Sequence, residues 1–162
     1  MTFSFQCPRH RVRAFTLVEM LVVVLILGIL AAVVVPKFAS ASDSARTASV
    51  QSTVGGVRAG IAAFRTRAVI AGDDPFPSLK ELTVVGTVMQ EEIPSNPFTG
   101  VGGVQAVSQA QAAARTVVGK TSGWNYYVDN NASPPVAIFY ANSDATSTES
   151  DGSGGYLGAN EL

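Results

Sequence analysis

The chain has 162 residues, which is the usual size of one domain and argues against a multidomain enzyme. Hydrophobic residues make up 47% of it and charged residues only 14%, a balance that leans toward membrane association. The formal net charge is −1, so bulk charge gives no indication of a nucleic-acid partner.

The chain begins with a short basic leader. Arg9, Arg11 and Arg13 precede an apolar run, and no acid does. The single cysteine and the single histidine, Cys7 and His10, lie in the same leader. If the leader is removed, the remaining chain has no thiolate nucleophile, imidazole base, disulfide or Cys/His metal ligand. Most hydrolase triads and zinc sites are thereby excluded, and we predict a protein that is not an enzyme.

Residues 15–35 form an apolar run with one charged residue, Glu19. At 1.5 Å per residue, a helix of this length spans roughly 32 Å, which matches the hydrocarbon core of a bilayer. Positions 17–35 hold 14 Leu, Ile or Val residues, each favouring insertion by about 0.3 to 0.6 kcal/mol, against about 2.5 to 3.5 kcal/mol for a central acid. We therefore expect a transmembrane helix, with a cytoplasmic N-terminus because the arginines precede the run.

Two simpler interpretations compete with this one. A secretory signal peptide would use Ala39-Ser40-Ala41 as its cleavage pattern, but signal cores run about 7 to 15 residues and need no acid. A plain single-pass anchor would leave Glu19 unexplained.

Glu19 is the informative residue of the run, because an ionisable group inside a membrane segment is costly and implies a partner. Cleavage between Ala14 and Phe15 would create an α-ammonium group four residues before Glu19. In a helical bundle, Glu19 of one subunit could pair with the amino terminus of its neighbour. Pairing within the same chain, or with lipid headgroups, is the alternative.

This part of the sequence resembles the class III signal segment of type IV pilins and type II secretion pseudopilins. The resemblance rests on Arg13-Ala14-Phe15-Thr16-Leu17-Val18-Glu19-Met20, followed by the apolar run with Gly28 and Pro36. It implies that a prepilin peptidase cuts between Ala14 and Phe15 and N-methylates Phe15, and that Glu19 takes part in subunit docking during assembly. The family usually has Gly before the cut; because Ala is the smallest replacement, we expect Ala14 to retain cleavage.

Past the apolar run, the helical pattern continues. Pro36 lacks the amide hydrogen needed to bond back to Ala32, which predicts a kink or local melting. An apolar stripe then predicts an amphipathic helical half over 36–70 that packs on a head domain. Gly72, followed by Pro75, predicts the end of the helix. The stripe consists of Val50, Val54, Val57, Ile61, Phe64 and Ala68.

Residues 71–162 are predicted to form a small head. Residues 77–82 are predicted to form a short helix with its N-cap at Ser78, and 94–100 is a turn-rich connector. The Ala- and Gln-rich part of 101–120 is compatible with a short helix or a mobile insertion. Two aromatic and β-branched runs, 124–128 and 136–140, predict an antiparallel hairpin whose aromatic side chains cover the long helix.

The last segment, 142–162, is rich in Ser, Gly, Asp and Thr, which predicts a flexible acidic tail. Asp144 and Asp151 could offer oxygen ligands to calcium, and the resemblance to major pseudopilins, which hold calcium in a C-terminal loop, supports that alternative. The spacing does not match an EF-hand, so we expect a solvated tail without a metal or other cofactor.

Together these elements predict an α+β, pilin-like fold. A long N-terminal helix, membrane-embedded in its first half, carries a small antiparallel sheet packed on its outer half. The predicted segments are a basic leader (1–14), a transmembrane or filament-core helix (15–35), an amphipathic helical half (36–70) and a head with a short helix, a hairpin and a flexible tail (71–162).

The resemblance implies a structural subunit of a type II secretion pseudopilus, held in the bacterial inner membrane with a periplasmic head. Its expected partners are other copies of itself in a helical filament, a prepilin peptidase, an inner-membrane assembly platform and a secretion ATPase, with no nucleic acid. The absence of mature cysteines favours this class, because many adhesive pilins close their C-terminal region with a disulfide. One alternative is a type IV pilin for adhesion, motility or DNA uptake; a second is a membrane-tethered or secreted binding module that forms no filament.

Overall fold

A computed structural model describes residues 15–162. The predicted leader, with its arginines and Ala14, lies outside the described residues. The described chain divides after Ser40 into an apolar helical segment and a compact head. One helix, α1 (Leu17–Ala71), contributes to both units.

The first unit is the apolar part of α1. Every residue from Phe15 to Ser40 is exposed in the single chain. The described part of this unit therefore buries none of its Leu, Ile and Val side chains. The helical conformation continues through Pro36. The predicted local melting is therefore wrong: proline costs one backbone hydrogen bond, and the regular turns before and after it are sufficient to keep the helix.

In the head, α1 presents the predicted stripe to the core. Val50, Val54 and Val57 are each at most 1% exposed, Ile61 and Ala68 are also buried, and Phe64 is half-buried. The predicted amphipathic face is thus confirmed. The helix ends at Ala71 because Gly72 has a φ of +79°, a left-handed conformation that a glycine adopts without steric strain.

The second helix, α2 (Leu79–Thr83), is short and confirms the helix predicted at 77–82. Its start is a capping box: Ser78 Oγ accepts the Glu81 N–H at 3.3 Å, and Glu81 Oε2 accepts the Ser78 N–H at 2.8 Å. The Ser78 hydroxyl also donates to Glu81 Oε2, at 2.7 Å, and this bond, followed by the one from the Ser78 amide, holds the pKa of Glu81 below its usual value. Leu82 is buried, so a cap and one apolar anchor together hold this short helix.

The main sheet has three strands, β1 (Val104–Ala106), β2 (Trp124–Asp129) and β3 (Val136–Ala141), in the order β1-β2-β3. Strands β2 and β3 pair antiparallel, which confirms the predicted hairpin. Strand β1 pairs parallel with β2, so the sheet is mixed and not wholly antiparallel. The parallel pair is possible because residues 107–123 are long enough to return the chain to the same end of the sheet.

The segment whose conformation the sequence left open contains β1 and a third helix, α3 (Gln109–Ala113). Ser108 and Gln111 form the capping box of α3, with Ser108 Oγ 3.3 Å from the Gln111 nitrogen. Arg115 follows the helix with a φ of +48°, an uncommon conformation for a residue with a side chain.

The core joins the aromatic residues of β2 and β3 to the stripe of α1. The rings of Trp124 and Phe139 stack with their centroids 5.5 Å apart. Trp124 Nε1 donates to the Pro94 carbonyl at 2.7 Å, and the Tyr126 hydroxyl donates to the Pro77 carbonyl at 2.8 Å. Both polar atoms are thus satisfied, and burial raises the pKa of Tyr126. The aromatic residues are core residues, as predicted.

The C-terminal segment differs from the prediction of a flexible tail over 142–162. It forms β4 (Thr146–Ser150) and β5 (Tyr156–Gly158), which pair antiparallel, followed by a 3₁₀ turn over Ala159–Glu161. The Ser, Gly and Asp residues serve the turn between the strands: Asp151 Oδ1 accepts the Ser153 N–H at 2.7 Å and the Gly155 N–H at 2.9 Å. The prediction of flexibility from amino-acid composition was wrong because the residues that form tight turns are also the commonest residues of flexible segments.

Contacts with α1 explain why this hairpin is ordered. The Thr148 N–H donates to Thr47 Oγ1 on α1 at 3.1 Å, and Thr47 is 2% exposed. Ser147 and Ala159 are also buried. A few small buried side chains and one hydrogen bond to the helix thus tie down a segment that carries few large apolar residues.

Candidate assembly segment

The start of α1 carries a capping box that the sequence reasoning missed. Glu19 N–H donates to Thr16 Oγ1 at 3.2 Å, and Glu19 Oε2 accepts the Thr16 N–H at 3.1 Å. The Thr16 hydroxyl also donates to Oε2, at 3.1 Å. Two amide hydrogens that the helix itself leaves unpaired are satisfied in this way. The Thr-x-x-Glu spacing before an apolar run was the signal that could have revealed it.

The capping box does not neutralise Glu19. Thr16 supplies hydrogen bonds but no charge, and both bonds to the carboxylate fall on Oε2. Among residues 15–162, none donates a hydrogen bond to Oε1, and the first cationic side chain is Lys37, beyond the apolar run. A carboxylate in an apolar environment still needs a positive partner. The arrangement thus fixes the side chain and leaves one oxygen available to a cation.

The predicted processing site lies immediately before this box. Ala14 is outside the described residues, so the structure describes one side of the predicted cleavage point. Phe15 precedes the helix and is 74% exposed. A peptidase acts most readily on accessible chain outside regular structure, and Phe15 meets both conditions.

The apolar part of α1 is long and apolar enough to cross a membrane. Its exposed side chains cover the whole circumference of the helix: Leu17 is 81% exposed, Leu25 59% and Val35 67%. A helix that is apolar all round lies in lipid or among other helices. Gly28 has no side chain and therefore leaves a notch in this surface. Small residues of this kind let a second helix approach closely.

The head places the two calcium candidates on its surface. Asp144 and Asp151 are both exposed. Asp151 already accepts two backbone amides of its own turn, and these bonds, the Ser153 amide first, hold its pKa below the usual value. Across residues 15–162, no three Asp, Glu, His or Cys side chains group together as metal ligands would. Calcium binding stays an untested prediction.

Comparison with known proteins adds independent information. Residues 9–35 match the family described as the prokaryotic N-terminal methylation motif. The chain is 40% identical over 68 residues to the type IV narrow pilus major component PilA5 of Thermus thermophilus. This match covers 41% of the chain and 59% of the relative, so the chain spans less than two thirds of the relative's length. No solved structure matches the chain.

The motif match falls on the segment that carries the capping box and the apolar helix, and the fold is α+β with a sheet beside a long N-terminal helix. One apolar N-terminal helix with this motif is consistent with a single-pass protein of the inner membrane. The motif, the pilin relative and the fold together support the resemblance to type IV pilins and pseudopilins that the sequence predicts.

Proposed function

We propose that the chain is the structural subunit of a type IV pilus-like filament, assembled from the inner membrane after its leader is removed. The observation that carries the proposal is the apolar, exposed first part of α1, over which the methylation motif extends. A surface of this kind is stable only in lipid or against other helices, and a filament core supplies the second environment. The proposal assigns the chain no catalytic role.

Assembly uses Glu19 in this proposal. Before assembly the N-terminus lies on the cytoplasmic side and the head in the periplasm, because basic residues precede the helix. Cleavage before Phe15 exposes an α-ammonium group, and Glu19 of a neighbouring subunit accepts it through the oxygen that Thr16 leaves free. Exchange of lipid for helices gains little free energy by itself, so this ion pair and close packing set the register between subunits.

Two filament classes fit this architecture. The relative from Thermus thermophilus is named as a pilus component, which favours a surface type IV pilus. The absence of cysteine from residues 15–162 favours a type II secretion pseudopilus, by comparison with pilins that close their C-terminal region with a disulfide. The expected partners are the same in kind: further copies, a prepilin peptidase, an assembly platform and an ATPase.

Mass analysis of the N-terminus of the protein isolated from its own membrane tests the processing. A chain that starts at a methylated Phe15 supports the proposal. A chain that starts at Ser42 indicates ordinary secretion, and an intact Met1 indicates a plain anchor; either result refutes it. Electron microscopy of the assembled material then tests for filaments directly.

Loss of the chain separates the two filament classes. If the filament is a surface pilus, shearing the cells should release the subunit, and its deletion should leave export unchanged. If it is a pseudopilus, the subunit should stay with the cells after shearing, and deletion should trap exported proteins in the periplasm.

A further inference from the structure

The head contains an open cleft of about 340 Å³ that brings together three arginines. Arg58 and Arg65 come from α1, and Arg115 comes from the turn after α3. Apolar side chains complete the lining, among them Ile61, Phe76 and Ile138. We call this surface the arginine cleft.

No Asp or Glu side chain within residues 15–162 forms an ion pair with the three guanidinium groups of the arginine cleft. The ion pair that the described chain does form, between Arg46 and Asp43, lies elsewhere on α1. Arg65 lies over the face of Phe76, with its Cζ 5.0 Å from the ring centroid. Partial burial and the nearby charge of Arg115 lower the pKa of Arg58. The cleft therefore concentrates positive charge that no Asp or Glu side chain of the described residues neutralises.

Main-chain oxygens orient two of the guanidinium groups without saturating them. Arg58 donates through one nitrogen to the carbonyl of Phe139 and to an oxygen of Leu162, the last residue of the sequence, both at 3.3 Å. Arg115 donates through one nitrogen to the carbonyl of Asn160 at 3.3 Å and to the same Leu162 oxygen at 3.1 Å. A guanidinium group has five N–H donors, so most of them stay available to an anion.

The backbone at Arg115 indicates that the position of its side chain matters. Arg115 has a φ of +48° at the end of α3, where Gly or Asn is the usual residue. A larger residue there costs about 1 kcal/mol or more. Its side chain offsets this cost with the two carbonyl contacts, and its own carbonyl accepts the Asn160 amide at 2.7 Å. The conformation thus places a guanidinium group in the cleft.

We propose that the arginine cleft receives an acidic loop of a second copy of this chain. The head itself supplies matching loops, since Asp73–Asp74 and Glu91–Glu92 are adjacent carboxylate pairs. All four residues are exposed, and their carboxylate groups accept no hydrogen bond from any residue of 15–162. Paired carboxylates suit guanidinium groups, which bind them through two parallel hydrogen bonds, and the apolar lining excludes water from such a contact.

This inference rests on the proposed filament, because only regular assembly brings one acidic loop to each cleft. It adds a head-to-head contact to the helix contacts of the filament core. Arg65 is the best residue for a test, because it donates no hydrogen bond within the described chain and its replacement leaves the carbonyl contacts of Arg58 and Arg115 in place.

Zero-length cross-linking tests the contact. Full-length chains carrying Arg65→Lys, half of them labelled with ¹⁵N, are assembled into mixed filaments and treated with a carbodiimide, which joins an amine to a carboxylate that touches it. Mass spectrometry should find the introduced amine joined to Asp73, Asp74, Glu91 or Glu92 of a chain with the other isotope. Arg46→Lys, on the same helix but outside the cleft, is the matched control and should give several-fold fewer cross-links between chains.

The outcomes separate the two proposals. Filaments without cross-links at position 65 above the Arg46→Lys level overturn the cleft contact and leave the filament in place. Cross-links only within one chain overturn it equally. If the unmodified chain forms no filaments, the proposed function fails and the cleft contact fails with it. As an independent measurement, Arg65→Glu should reduce filament yield several-fold relative to Arg46→Glu, and equal yields would also overturn the contact.

Discussion

Two substitutions at the start of α1 separate the local role of Glu19 in the capping box from its proposed role between subunits. Glu19→Gln keeps the capping box, because a glutamine side chain also accepts the Thr16 N–H, but it removes the charge. Thr16→Val removes the hydroxyl of the box and keeps the charge. We expect Glu19→Gln to insert in the membrane and fail to assemble, and Thr16→Val to assemble.

The structure and the sequence together give the expected free-energy changes for capping, insertion and association. Loss of an N-cap costs a helix about 1 kcal/mol, so Thr16→Val should fray the first turn without preventing insertion. The apolar residues of the run favour insertion by roughly 4 to 8 kcal/mol in sum, so removing a charge can only help Glu19→Gln to insert. Removing one member of a buried ion pair costs about 3 to 5 kcal/mol, which lowers the association constant of each subunit at least about a hundredfold.

The assay compares membrane-bound and filament-bound protein in cells that produce each variant at the same level. Membrane fractions report insertion, and filaments counted by electron microscopy report assembly. Glu19→Ala, which removes both the cap and the charge, should behave like Glu19→Gln. If Glu19→Gln forms normal filaments, the charge has no role in assembly, and capping alone explains the acid.

Three further predictions concern the head. Val54→Ala should lower the free energy of unfolding by about 1 to 3 kcal/mol in chemical denaturation because Val54 is 1% exposed, whereas Val69→Ala, at a 60% exposed position, should change it by less than about 0.5 kcal/mol. Gly123→Ala would force a Cβ against a backbone carbonyl and should lower Tm by several degrees, while Gly55→Ala, which has open space in a helix, should raise Tm slightly. Backbone amides of its turn hold the pKa of Asp151 low, so its contribution to the β4–β5 hairpin is complete at neutral pH and lost as the pH falls below about 4. Asp151→Asn should abolish that acid sensitivity in amide NMR spectra, and an unchanged pH profile would contradict the assignment.

The long helix and the central hairpin could be predicted because their signals are local and periodic. Val50, Val54 and Val57 recur at helical spacing, and a glycine marks the end of the helix. The aromatic runs of β2 and β3 are continuous and separated by turn residues. Each of these patterns favours one type of secondary structure, and the tertiary contacts of the head stabilise that same structure.

The C-terminal hairpin and β1 could not be predicted in this way. Strand β1 has three residues, and its parallel partner lies 20 residues along the chain, so no local pattern marks it. The β4–β5 hairpin depends on Thr47, a helix residue about 100 positions earlier. Such contacts between distant segments decide whether a polar sequence is ordered, and composition cannot report them.

The functional residues also differ in how far the sequence alone could identify them. Glu19 was identifiable because a charge in an apolar run is conspicuous in any sequence. Thr16, its capping partner, was overlooked although its spacing was visible. The arginine cleft was not identifiable at all, because Arg115 joins Arg58 and Arg65 only through the turn that follows α3.

The exposed apolar surface of residues 15–40 has one more consequence, which concerns where new subunits for a filament come from. A subunit with this surface cannot diffuse through water, so in the proposed filament growth would draw on copies already held in the bilayer. Lipid tails and neighbouring helices surround the apolar side chains of residues 15–40 almost equally well. A copy that leaves the filament would therefore return to the bilayer intact. The membrane then acts as a store of subunits, and the amount stored sets how far a polymer can lengthen without new synthesis.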